Sequence, residues 1–165
     1  MLAHMKATLC SSLSCVILAT AQADSFLVEA EQFTQKGGWM VDTQFIESMG
    51  SPYLIAHGMG KPVADASTTV TVPSDGSYQV WVRTIDWTKR LKRGDSAGTF
   101  SVNVNGKDLG ATLGQGNTTW SWVKAGKTDL KKGKAEVSLK DLTGFDGRVD
   151  ALIFSSDASF TPPEK

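Results

Sequence analysis

Three carboxylates near the two ends of the chain have the spacing to hold a hard cation. Phe26-Leu27-Val28-Glu29-Ala30-Glu31-Gln32-Phe33 forms one largely apolar segment, and Arg148-Val149-Asp150-Ala151-Leu152-Ile153-Phe154 forms another near the C-terminus. In a β-strand alternate side chains share a face, so Glu29 and Glu31 are expected to point the same way. Two carboxylates on an otherwise apolar strand are costly unless their charge is compensated. If the last strand lies beside the first, Asp150 joins them. Three carboxylates converging at a sheet edge point to a cation with oxygen ligands, namely calcium. The alternative is a solvated edge without metal. Asp150 weighs against it, because an unpaired carboxylate inside an apolar strand is expensive.

The elements that would position these residues read as strands and turns. Ser67 to Val72 is rich in Thr and Val and ends at the turn signal Pro73-Ser74-Asp75-Gly76. Ser77 to Thr84 alternates, with Tyr78, Val80 and Val82 on one face and Gln79, Trp81 and Arg83 on the other. Phe100, Val102 and Val104 alternate up to Asn105-Gly106, a strong hairpin signal. Trp120 and Trp122 share a face of a further strand, and at least one is expected to be structural. Ala135, Val137 and Leu139 alternate after the turn at Leu130-Lys131-Lys132-Gly133. Repeated short strands separated by turns predict an all-β sandwich. Two stretches stand apart. Gln35 to Asp65 is Gly-rich and irregular, with a short helical turn expected within Thr43 to Met49, and Trp87 to Gly98 reads as a long polar loop. Long loops in compact domains tend to be functional or disordered.

The N-terminal residues read as a secretory signal peptide over 1–23. Lys6 supplies a basic n-region, Ala7 to Ala21 is apolar and small, and Ala21-Gln22-Ala23 is a cleavage site that leaves Asp24 first. The stretch is too short and too rich in Ser and Thr for a membrane span. Cys10 and Cys15 both fall within it, so a processed chain has no thiol or disulfide. Lipidation at Cys15 is the alternative, but apolar residues continue past it. One domain is expected over 24–160, followed by a loose tail over 161–165. The 17 basic and 17 acidic residues balance, and losing Lys6 leaves a net charge of −1. Nothing in that balance suggests a nucleic-acid binder.

Five pieces together resemble the galactose-binding-like jelly-roll domains, above all the calcium-containing carbohydrate-binding modules of families six, thirty-five and thirty-six. They are Val28-Glu29-Ala30-Glu31, the run Asp75 to Arg83, Val102-Asn103-Val104-Asn105-Gly106, Trp120-Ser121-Trp122 and Val149-Asp150-Ala151-Leu152-Ile153. The resemblance covers residues 26 to 160. It implies a jelly-roll β-sandwich with a structural calcium on Glu29, Glu31 and Asp150, and a ligand at the loop end or on a concave face. Gly50 to Ala66 and Arg83-Thr84-Ile85-Asp86-Trp87 are also similar to an accessory domain of FAD-dependent oxidoreductases in polysaccharide-degrading bacteria, the xanthan-lyase-like type. No G-x-G-x-x-G follows a strand, so no FAD or NAD is expected on this domain.

Trp39 and Trp87 lie in loops, where indoles can stack on the apolar face of a sugar ring. His57 is the one histidine after the cleavage site, and a structural role competes with a ligand contact. Arg83 and the basic loop containing Arg90 could meet uronate or sulfate through charge-assisted bonds, or simply be solvated. Arg83 could equally pair with Asp86 or Asp65. No G-x-S-x-G, H-E-x-x-H or catalytic cysteine is present. The expectation is a secreted or periplasmic, calcium-stabilised, non-catalytic module for polysaccharide or oligosaccharide, with a carbohydrate-active enzyme or oxidoreductase as a further partner. One rival is a docking domain without sugar affinity; another is a small polysaccharide lyase using His57 and Arg83. An open cleft shared by Trp39 and Trp87 favours sugar, and burial favours docking. A cleft floored by His57 and Arg83 favours the lyase.

Overall fold

The computed structural model describes residues 23–91 and 96–164, with Arg90 described by its backbone alone. The signal peptide, Cys10, Cys15, Lys92, Arg93 and Lys165 therefore lie outside the described residues, as does the Arg90 side chain. The described part is a sandwich of two antiparallel sheets, in keeping with the all-β jelly-roll expectation. The larger sheet contains β1 (Ser25–Glu29), β2 (Met40–Asp42), β3 (Tyr53–His57), β5 (Gly76–Thr84), β8 (Ser121–Leu130) and β10 (Phe145–Ser155). The smaller contains β4 (Ala66–Val72), β6 (Phe100–Val104), β7 (Lys107–Asp108) and β9 (Gly133–Asp141). Among the described residues no helix is long and apolar enough to cross a membrane.

β10 organises the larger sheet. One edge pairs with β5; the other pairs with β3 through Phe145–Val149 and then with β1 through Ala151–Ser155. The first and last strands are thus neighbours, as the carboxylate reading required. The core lies between the sheets, where Tyr78, Val80 and Val82 of β5 meet Val102, Val137 and Leu139 of the smaller sheet. Phe26 stacks on Phe154 with centroids 4.8 Å apart and meets Tyr78 edge-on at 5.8 Å. Asn105 and Gly106 both have positive φ, as a two-residue primed hairpin demands.

Several expectations need correction. Gln35 to Asp65 is not simply irregular, because Tyr53–His57 is a full strand. Its first four residues are all buried. One face meets the core, and Tyr53 on the other packs against Phe45 and Trp120. A strand covered on both faces loses the alternation by which strands are recognised. The helical turn does form, as α1 (Ile46–Met49). The supposed loop after Asp86 begins with a helical turn, α2 (Trp87–Arg90), whose first residue is preceded by an Asp86 cap. Glu31 is not on the strand: β1 ends at Glu29, and Ala30–Gln32 is a single 3₁₀ turn. Within the stretch expected to be loose, Pro162 is buried and Trp122 Nε1 donates to the Pro163 carbonyl at 2.9 Å.

Candidate functional site

The loop end built by α2, the β3–β4 connection and the start of β10 gathers apolar and polar side chains around Trp87. Asp86, almost fully buried, fixes the approach. Its carboxylate accepts from the Thr88 hydroxyl (2.8 Å), Lys89 N–H (3.0 Å), Ser96 hydroxyl (2.5 Å) and Gly116 N–H (2.9 Å). Burial opposes its charge, but these donors outweigh burial and hold its pKa below the ordinary value. Trp87 then donates its indole N–H to the Phe145 carbonyl at 2.9 Å, and the Arg148 guanidinium lies 5.2 Å from its ring centre.

Trp87 borders two hollows. One of about 460 Å³ is lined by Gln44, Phe45, Trp87, Leu91 and Arg148. The other, about 270 Å³, is lined by His57, Met59, Trp87, Gly144, Phe145 and Asp146. Met59, Leu91 and Phe145 expose 82%, 59% and 48% of their surface, a concentration of apolar area at one end of the molecule. His57 Nδ1 lies 2.5 Å from Asp146 Oδ1, which orients the ring and leaves Nε2 for another partner. Asp146 adopts φ 58° beside a register shift in the β10–β3 ladder, and this re-aims its side chain toward His57. Gly144 has to be glycine: at φ 69°, an added Cβ would sit 2.1 Å from the Lys61 carbonyl oxygen.

Arg148 is a buried cation between these groups. It donates to the Asp146 carbonyl at 2.9 Å, and its Nε is buried without a partner. Close by, Tyr53 donates to Asp42 at 2.8 Å. Burial, reinforced by that carboxylate, pushes the phenol up to about 12, so it stays protonated. Burial works against the Asp42 charge, but the Gln44 N–H and the Tyr53 hydroxyl outweigh it and hold Asp42 low.

The expected ligand residues divide. Trp87 and His57 share the loop end. Trp39 does not: it is 3% exposed and packs edge-on against Phe100 in the core, so it presents no ring face to a ligand. Its place follows from the Gln35–Ser67 bridge and the Gly38 N–H to Ala64 carbonyl bond, which fold that segment onto the smaller sheet. Arg83 lies on the outer face of the larger sheet, where it donates to Asp150 Oδ2 at 2.9 Å rather than to Asp86 or Asp65. His57 and Arg83 therefore line separate hollows. Sequence reasoning missed Phe145, Asp146 and Arg148. A charged residue inside the apolar run after Gly147 was the available signal.

The carboxylates of the cation reading lie close enough to repel one another. Burial is the main cause of a raised Glu29 pKa; Glu31 and Asp150 add to it and Arg83 opposes it. Burial likewise raises Glu31, with its own backbone N–H opposing and Asp150 adding. Glu31 Oε2 is buried without any hydrogen-bond partner. An orphaned anionic oxygen beside two more carboxylates is donor chemistry that fits a calcium ion. Asp150 Oδ1 and Oδ2 accept from the Ser51 hydroxyl and from Arg83, both at 2.9 Å, and each oxygen keeps a lone pair. Among the described residues, no three acidic, His or Cys side chains are drawn together at metal-binding distance. The donor set is chemically suitable but not assembled.

The architecture is a jelly-roll β-sandwich. The chain belongs to the Golvesin C-terminal domain family, whose model matches residues 26–151. No curated protein matches it. Among solved structures it is similar to a family 35 carbohydrate-binding module from Clostridium thermocellum, at 20% identity and TM-score 0.60, covering 79% of this chain and 97% of that one. The C-terminal family 6 module of a marine laminarinase from Zobellia galactanivorans gives 19% identity and TM-score 0.57, covering 80% and 99%. A Podospora anserina β-(1,4)-mannanase of family 26 with a family 35 module gives 18% identity and TM-score 0.63, covering 84% of this chain but only 29% of the enzyme. At these identities the likeness establishes the fold.

Proposed function

We propose that this domain binds carbohydrate at the loop end around Trp87. The observation that carries the reading is the seating of Trp87. Its indole is anchored by a carbonyl and a guanidinium, and its ring borders two hollows. Apolar surface for ring faces adjoins His57, Gln44 and Arg148 for hydroxyls or an acidic substituent. The similar structures include carbohydrate-binding modules, which supports the same reading. A polar ligand gains little on leaving water, so dissociation constants of about 10 μM to 1 mM are expected. Calorimetry with neutral and acidic polysaccharides tests it. Trp87→Ala should weaken binding about tenfold or more, as losing a central aromatic anchor does, whereas Trp39→Phe should leave affinity unchanged. No heat with any glycan from the folded domain rejects the proposal.

A docking domain for a polysaccharide-processing enzyme or an oxidoreductase is the second reading. Burial of Trp39 and the exposed Met59, Leu91 and Phe145 favour it. We also propose that calcium is held by Glu29, Glu31 and Asp150 with backbone carbonyls, and that the protein is secreted or periplasmic. Export is checked by mass spectrometry: the secreted chain should begin at or near Asp24, and a stable product starting at Met1 contradicts it.

A further inference from the structure

The outer face of the larger sheet carries a second aromatic constellation, on the far side of β5 from the core. Strand alternation places Trp81 and Arg83 outward, and the β5–β8 register sets them opposite Lys124 and Trp122. Trp120, immediately before β8, extends the row. The segment Thr161–Glu164 lies against this face. Pro162 is buried there although no strand or helix holds it. Trp122 donates its indole N–H to the Pro163 carbonyl at 2.9 Å. A hollow of about 430 Å³ runs between the three indoles and the tail. The indole N–H groups of Trp81 and Trp120 are buried without acceptors.

We propose that this face is a groove for extended, proline-rich polypeptide. The chain's own Thr161-Pro162-Pro163-Glu164 fills it in part, and a proline-rich segment of another protein takes it when the tail is displaced. The chemistry is specific. Proline lacks an N–H, so it can be buried against indole without stranding a donor, and its carbonyl remains to accept from one. Consecutive prolines hold the extended left-handed helix before binding, so little entropy is lost on docking. Aromatic-lined grooves recognise such segments in this way. Residues 161–164 satisfy one indole and leave two buried donors, to which a displacing segment can offer its own carbonyls. Lys124, 5.0 Å from the Trp81 ring centre, and Arg83, beside Glu164 in the adjoining hollow, suit a segment that carries acid next to its prolines.

The test uses the full chain and a synthetic peptide carrying two copies of Thr-Pro-Pro-Glu, read by the indole N–H resonances. The peptide should shift the signals of Trp81, Trp120 and Trp122. Substituting Pro162→Gly together with Pro163→Gly removes the internal competitor. That variant should bind the peptide about tenfold more tightly than the parent, because the tail competes at high effective concentration. Trp122→Phe, which keeps a ring but removes the N–H, should weaken binding. The tail lies outside both sheets, so the glycine variant should keep the parent's far-ultraviolet dichroism. It alone decides the matter if Trp122→Phe misfolds. Unmoved indole signals in the glycine variant at millimolar peptide overturn the proposal. Equal shifts with an alanine-substituted peptide overturn it too, as do shifts with an oligosaccharide but not the peptide.

Discussion

Arg83 and Asp150 form an ion pair that acts electrostatically on Glu29. Asp150 is almost fully buried and Arg83 largely so, with 2.9 Å between charges. Removing one partner of such a pair leaves an uncompensated buried charge, which costs far more than the pair itself stabilises. Arg83→Met should therefore lower stability by about 3 kcal/mol. It should also make the protein depend on calcium, since a cation would be the remaining counter-charge for Glu29, Glu31 and Asp150. Thermal melts of parent and variant, in chelator and in calcium, check both parts. A variant that melts like the parent contradicts the pairing. A melting curve indifferent to chelator in both proteins, with no metal by elemental analysis, rejects the ion. The three carboxylates could be picked out from residue type alone, because charge in an apolar run is conspicuous. Their partner could not. Arg83 had several acids within reach along the sequence, and only the register of β5 on β10 places it beside Asp150.

At the scale of elements, the short α2 turn shows how one buried acid positions the Trp87 ring beside two hollows. Asp86 accepts from two backbone N–H groups and two hydroxyls. Asp86→Ala should cost about 3 kcal/mol, the loss of a cap together with unpaired buried donors. It should also weaken glycan binding by freeing Trp87. The pH dependence has a definite sign. The folded-state pKa lies below the ordinary 3.8, so the stabilisation is fully present above that value and is lost as pH falls through the folded pKa. Acid titration of stability should show a limb below about pH 4 that is shallower in the variant. Equal limbs contradict the assignment. Strands β4, β5 and β9 were legible because one face is drier than the other, and β6 because its residue types alternate although Ser101 is also buried. β3 was hidden by burial on both faces, and α2 by a polar sequence whose helical turn depends on distant Ser96 and Gly116. Trp39 misled for the same reason: loop position was visible, but the folding of that loop onto the core was not.

For the whole molecule, closure of the described part rests on the meeting of β1 and β10, and no cysteine lies among the described residues. Five residue pairs join β1 to β10. The ends are latched by Asp24 N–H to the Ser156 hydroxyl at 2.8 Å, Ser156 N–H to the Asp24 carbonyl at 2.9 Å, and the Ser25 and Ser155 hydroxyls at 2.7 Å. Phe26 locks this seam from the core side through Phe154 and Tyr78. If the seam is integral, the sandwich unfolds as one unit and the seam's energy appears in the global stability. Phe26 is only partly buried, so Phe26→Ala should cost about 2 kcal/mol, below the range for a fully buried phenylalanine. In a domain of this size that corresponds to a melting temperature lower by about 5–10 °C. Calorimetry should give a single transition with equal calorimetric and van't Hoff enthalpies in both proteins. A variant that keeps the parent's main transition and adds a separate low-temperature one would show that β1 frays independently, and closure would then have to come from elsewhere in the sandwich.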